Sequence, residues 1–142
     1  MNKFIIIVFC IFLSCKSQKS EYNYADKKIK YVDFCDLENH KNELVATEFY
    51  YTGFVEYWWI YSKTKYENNN VTNLAFDIFH IPTKFKRLFD NQISYDILKI
   101  TAIGKFRNNN INGYGHEGSN KSEFLVLKIF KMKKAGKMKI KQ

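Results

Sequence analysis

Residues 49–61 hold eight aromatic side chains in 13 positions: Phe49, Tyr50, Tyr51, Phe54, Tyr57, Trp58, Trp59 and Tyr61. Successive side chains of a strand point to opposite faces, so a β run of this kind puts large rings on both sides of a sheet. One side has to enter a core, and the other has to be covered or used. The flanking residues fit this geometry. Within 44–54, Val45, Thr47, Phe49 and Tyr51 share one face by the period of two. Gly53 predicts a bulge or strong bend, and residues 55–61 continue as a second strand. A third strand is expected at 74–81, with Leu74, Phe76, Ile78 and His80 on one face and Ala75, Asp77, Phe79 and Ile81 on the other. Pro82-Thr83 then opens a short helix that gathers Phe85, Leu88 and Phe89 on one side, with Lys84, Lys86 and Arg87 outward. Fourth and fifth strands are expected at 97–106 and 124–132. The polar stretches 63–73 and 108–120 read as loops. Ahead of the strands, Asp33 is placed to cap a short helix running to about His40, with Phe34 and Leu37 on one face.

The expected fold class is therefore all-β with short helices, in the order β-β-β-α-β-β after one short helix. That is the order of the OB-fold, a five-stranded, partly open barrel with its helix between the third and fourth strands. Another small antiparallel barrel or a sandwich would satisfy the same pattern. Several stretches resemble a group of small exported bacterial domains of OB type: Asp33-Phe34-Cys35-Asp36-Leu37, Tyr51-Thr52-Gly53-Phe54-Val55-Glu56, Ile103-Gly104-Lys105-Phe106, Tyr114-Gly115-His116 and Glu123-Phe124-Leu125-Val126. The resemblance spans most of residues 31–132. It implies a closed or nearly closed barrel and brings no activity with it.

The N-terminus gives an address. Lys3 precedes an unbroken apolar run of 10 residues, 4–13, and Ser14-Cys15 closes it. A helix that crosses a bilayer needs roughly 20 apolar residues, so the run suits the hydrophobic region of a signal peptide. A small residue directly before a cysteine at this point resembles the lipobox cut by lipoprotein signal peptidase. The expected organisation is a signal peptide at 1–14, a lipidated N-terminus and tether at 15–30, a barrel domain at 31–132 and a Lys-rich tail at 133–142. By resemblance, Cys15 carries a diacylglyceryl thioether and an N-acyl chain such as palmitate, and chains in that number anchor stably. The expected location is the cell envelope, on the periplasmic face of the outer or inner membrane. Cys10 leaves with the leader and Cys15 is lipidated, so Cys35 has no disulfide partner. Cys35 sits between Asp33 and Asp36, a setting that does not activate a thiol, and reads as a small hydrophobe.

Formal charge is +9 overall. Residues 31–130 hold 11 Lys+Arg against 12 Asp+Glu, a net of −1, so the basic character lies in the two ends. A nucleic-acid-binding domain usually shows a basic stripe on its folded surface, and this distribution argues against one. It suits basic segments lying near anionic lipid headgroups.

Motifs for chemistry are sparse. His40, His80 and His116 fall in different elements with no ligand spacing, so no metal or other cofactor is expected. No serine lies in a nucleophile-elbow context, and no glycine loop is placed to cradle phosphate. The sequence points to a non-catalytic protein. The sharper feature is again the aromatic run. OB-folds bind on the outer face of their second and third strands, often by stacking on aromatic platforms. Tyr57, Trp58, Trp59 and Tyr61, with Tyr114 and His116 from the last loop, form the candidate ligand face. The alternative for the outward rings is burial under the helices or tails. The expected function is a monomeric binding or scaffold module whose partner is an envelope protein or glycan. An OB-type nucleic-acid binder is the alternative, and an envelope hydrolase is weaker still.

Overall fold

A computed structural model describes residues 22–54, 57–62, 75–78 and 81–138. The expected signal peptide, Cys15 and His80 lie outside the described residues. Seven strands are present: β1 (Tyr22–Tyr24), β2 (Lys27–Ile29), β3 (Val45–Phe54), β4 (Tyr57–Tyr61), β5 (Ala75–Ile78), β6 (Asp96–Arg107) and β7 (Glu123–Lys137). A 3-10 helix at Phe34–His40 precedes β3, α1 (Thr83–Asp90) lies between β5 and β6, and a single 3-10 turn at His116–Gly118 lies in the β6–β7 loop. The expected class, all-β with short helices, is the one observed.

β3 to β7 form one sheet in the order β4-β3-β6-β7-β5. Its neighbours are antiparallel except β5 and β7, which run parallel. β4 and β5, the two outer strands, come within 8 Å of each other. No ladder joins them among the described residues. The closed barrel is corrected accordingly: the sheet curls back on itself but is not laced shut there.

The core lies on the concave side. Phe49, Ile60, Leu98, Ile100, Ala102, Phe124 and Val126 are essentially inaccessible to solvent. Val45, Thr47, Phe49 and Tyr51 do share the buried face of β3. Burial of the phenol pushes the Tyr51 pKa up to about 12. Below the sheet, Asp33 caps the 3-10 helix by accepting from the Cys35 N–H at 2.9 Å, and Phe34 and Leu37 enter the core. Cys35 itself is half-buried. Phe85, Leu88 and Phe89 turn the apolar side of α1 onto the same cluster, while Lys86 pairs with Asp90 one turn on, at 2.7 Å.

Gly53 does not mark a bulge. The β3–β4 register runs without a break from Tyr50 opposite Tyr61 to Phe54 opposite Tyr57. Glycine is required there by close approach instead, because a Cβ would lie 2.2 Å from the Tyr57 carbonyl oxygen. The irregularities are in β7. Its pairing with β6 shifts at three places, between Ile97 and Leu98, between Thr101 and Ala102 and between Ile103 and Gly104. Each shift re-phases the strand, and the latter two turn Ile129 and Met132 inward after Phe124 and Val126.

The described parts of both expected tails are folded. Residues 22–29 form a hairpin rather than a tether. Ala25 (φ 49°) and Asp26 (φ 59°) supply the two positive dihedrals of a tight type I′ turn. Tyr22 and Ile29 pair across it and bury themselves against Ala46 and Ile103 on the convex face of the sheet. Tyr22 also meets Phe130 edge-on, with ring centroids 5.3 Å apart. At the other end, residues 133–137 continue β7 opposite residues 96–99 of β6.

Lys134 Nζ lies 2.9 Å from the Asp96 carboxylate, which is 3% exposed. Burial alone would raise the Asp96 pKa, but hydrogen bonds from Lys134 and from the Ile93 N–H, with the charges of Lys134 and Lys137, hold it below the ordinary value. A carboxyl whose folded pKa is depressed stabilises the fold above its unfolded pKa, about 3.9, and loses that contribution as pH falls through the folded value. Asp96→Asn is expected to cost about 2 kcal/mol at neutral pH, the scale of a lost charge-assisted hydrogen bond. Urea unfolding at pH 7 and in the acid range checks this: the gap between variant and parent should narrow as pH falls.

Candidate ligand-binding face

The sheet's convex face carries three of the six side chains expected to meet a ligand, Tyr57, Trp59 and Tyr61. Opposed residues in a ladder share a face, so register defines its rows. Tyr61, Tyr50, Lys99 and Lys133 form one row across β4, β3, β6 and β7. Glu48, Thr101 and Lys131 form the next. The β1–β2 hairpin covers this face beyond them, over Ala46 and Ile103.

The six expected ligand-face residues separate into two groups. Trp58 points to the core side, stacked on Tyr51 at 5.3 Å, and is half-buried. Tyr61 is 3% exposed and stacks on Tyr50 at 5.7 Å. Tyr114 is 8% exposed and organises its own loop. Its hydroxyl accepts from the backbone N–H groups of Asn109 and Asn110 at 3.1 and 3.2 Å and donates to the Asn109 side-chain oxygen at 3.0 Å. Tyr61 and Tyr114 are thus covered by their neighbours, and Trp58 lies on the core side of β4.

Tyr57 and His116 are brought together. Their rings meet edge-on with centroids 5.7 Å apart. Tyr57 is 53% exposed, and the His116 side chain is 41% exposed. Tyr57 opens β4 directly after the β3–β4 connection, and His116 belongs to the β6–β7 loop, so two connections converge here. The loop holds His116 out by local means. Gly113, Gly115 and Gly118 all take positive φ, and the Gly113 site has no room for a Cβ, which would lie 2.1 Å from the Gly118 carbonyl oxygen. Trp59 is half-buried and follows Tyr57 on the convex side of β4 by the period of two.

Sequence reasoning missed a second feature. An open groove of about 480 Å³ is lined by Glu48, Lys99 and Thr101 of the sheet, Phe130, Lys131, Met132 and Lys133 of β7, and Lys84 and Phe85 of α1. Lys99 Nζ is 2.6 Å from Glu48 Oε1, and that hydrogen bond keeps the Lys99 pKa above its ordinary value despite partial burial. Lys84 sits over the Phe85 ring at 4.7 Å. Lys131 and Lys133 are exposed and have no ion-pair partner among the described residues. The available signal was the Lys131-x-Lys133 alternation continuing the strand period, which a Lys-rich tail masks. With both ends folded in, residues 22–138 carry 18 Lys+Arg against 13 Asp+Glu, 18 − 13 = +5, where 31–130 alone came to −1.

His40 Nδ1 lies 2.8 Å from Glu43 Oε2 in a local pair whose carboxylate is well exposed. No group of three His, Cys, Asp or Glu side chains that could hold a metal occurs among the described residues. No helix among them is long and apolar enough to cross a membrane. Comparison with protein-family models, with curated proteins and with solved structures finds no match.

Proposed function

We propose that this protein is a lipid-anchored, non-catalytic binding module of OB type, which presents the Tyr57–His116 face to a protein or glycan partner in the cell envelope. For the OB type, the support is topological. An OB barrel closes its strands in the ring order first, second, third, fifth, fourth, with the third and fifth parallel. Opened between second and third, that ring reads second-first-fourth-fifth-third, which is the order β4-β3-β6-β7-β5 with β5 and β7 parallel. The helix also falls between third and fourth strands.

The observation that carries the binding reading is the meeting of Tyr57 and His116. OB-folds place ligands against the second and third strands, between the loop joining the first two strands and the loop joining the last two. Tyr57 follows the first of these loops and His116 lies in the second. An exposed phenol beside an imidazole offers a flat apolar surface with polar edges, which suits a sugar ring or a peptide side chain. The anchor rests on Ser14-Cys15 at the end of the short apolar run.

Two arms test this. For the address, Cys15→Ala is expected to move the protein out of the detergent phase on phase partition and to abolish the lipid mass on the N-terminal peptide. Unchanged partition would refute the anchor. For the face, the protein is applied to arrays of defined glycans and peptides, beside Tyr57→Ala and His116→Ala. Losing an aromatic stacking contact costs roughly 1–3 kcal/mol, so specific hits should weaken about tenfold or more in Tyr57→Ala. Hits that survive both substitutions would refute the face.

A further inference from the structure

We infer that the lysine groove between β7 and α1 docks on anionic lipid headgroups of the membrane that holds the anchor; this rests on Cys15 being lipidated. Four lysines, Lys84, Lys99, Lys131 and Lys133, line the groove with a single carboxylate, Glu48, for a net of +3. Glu48 is already taken by Lys99 at 2.6 Å. Lys84, Lys131 and Lys133 are exposed, from two elements that fold together on one side of the molecule. Such a cluster attracts phosphate-bearing surfaces, each lysine near an anionic membrane adding to the attraction.

Chain geometry selects the membrane over a soluble anion. Tyr22 is seven residues after Cys15. Seven residues span at most about 25 Å when fully extended, so a lipid on Cys15 confines Tyr22 to that distance from the bilayer. Tyr22 lies edge-on against Phe130 with ring centroids 5.3 Å apart, and Phe130 lines the groove beside Lys131. The hairpin therefore ties the anchored end of the chain to the rim of the groove. Neither Tyr57 nor His116 lines the groove, so docking there leaves the proposed ligand face to other contacts.

The test uses the full chain after natural processing, reconstituted through its own anchor into vesicles of phosphatidylcholine or of phosphatidylcholine with phosphatidylglycerol. Lysines are labelled with an amine-reactive reagent and read by peptide mass spectrometry. Lys84, Lys131 and Lys133 are expected to be protected several-fold in the anionic vesicles at low salt and released at high salt, while exposed Lys41, outside the groove, labels equally in both. The Lys131→Ala, Lys133→Ala double variant should lower the docking equilibrium roughly thirtyfold, the effect of two lysines at an anionic surface, and so restore labelling of Lys84. Both positions are exposed, and a far-UV circular dichroism spectrum checks that the variant is folded. Labelling indifferent to headgroup charge would overturn the inference. So would stronger protection by a short single-stranded oligonucleotide than by anionic vesicles at matched phosphate, because the groove would then serve a soluble polyanion. Failure of the anchor reads separately, as an unmodified Cys15 in the same spectra.

Discussion

Phe49→Ala is expected to destabilise the protein by about 4 kcal/mol, within the range for deleting a buried phenylalanine from a packed core. Phe49 is fully buried in the middle of β3. Its ring meets Phe124 of β7 nearly perpendicularly, with centroids 5.8 Å apart, and Phe34 of the 3-10 helix at 6.2 Å. One side chain therefore joins the first and last strands of the sheet to the helix beneath them. The neighbours belong to two different elements, a strand held by its ladder and a helix held by its own packing, so they cannot collapse far into the space left behind. For a domain of this size, a loss of that magnitude lowers the melting temperature by roughly 15 °C. Urea unfolding and calorimetry check it. A double-mutant cycle with Phe124→Ala should show coupling of about 1 kcal/mol, the scale of an edge-to-face aromatic pair. Full additivity of the two substitutions would mean that the ring pair is incidental to the packing.

Gly104→Ala is expected to be nearly as damaging although it adds one methyl group. A Cβ at this position would lie 2.3 Å from the Leu125 carbonyl oxygen and 2.8 Å from two atoms of the Phe124 ring. The ring could rotate, but the carbonyl belongs to the backbone of β7 at one of the places where its pairing with β6 shifts register. Relieving the contact requires the two central strands to separate, and overpacking that moves backbone costs about 3 kcal/mol. The measurement is chemical unfolding, with amide exchange on β6 and β7. Protection should fall first at residues 103–106 and 124–126. A variant as stable as the parent would show that the ladder yields there at little cost.

Local rules explain how much could be read in advance. Strand positions in β3, β4 and β6 followed the period of two, since each strand carries its own alternation of core and surface residues. The apolar side of α1 and the Asp33 cap were legible for the same reason: both depend on residues within one or two turns of each other. The candidate face was legible only in part. Tyr57 and His116 are 59 residues apart in the chain, and nothing local told Tyr57, which is exposed, from Tyr61, which stacks under Tyr50. Lys133 was indistinguishable from a solvated tail, and Lys131, at the end of the expected fifth strand, gave no sign of the groove, because lysine spacing near a terminus carries no signal about a partner element.

The Ser14-Cys15 address is a proposal from sequence alone and lies outside the described residues, since a processing signal of that kind would be read as a linear segment before folding. Sequence by itself determined the strand-rich class and the amphipathic helix, since periodicity is a property of neighbours in the chain. Tertiary structure decided the rest. It folded 22–29 into a hairpin because Ala46 and Ile103 offered an apolar face for Tyr22 and Ile29. It extended β7 to Lys137 because β6 supplied a ladder and Asp96 a buried partner for Lys134. It turned Ile129 and Met132 inward through register shifts that only the opposing strand can impose. Each depends on pairing between residues far apart in the chain, where burial and hydrogen bonding outweigh local preference.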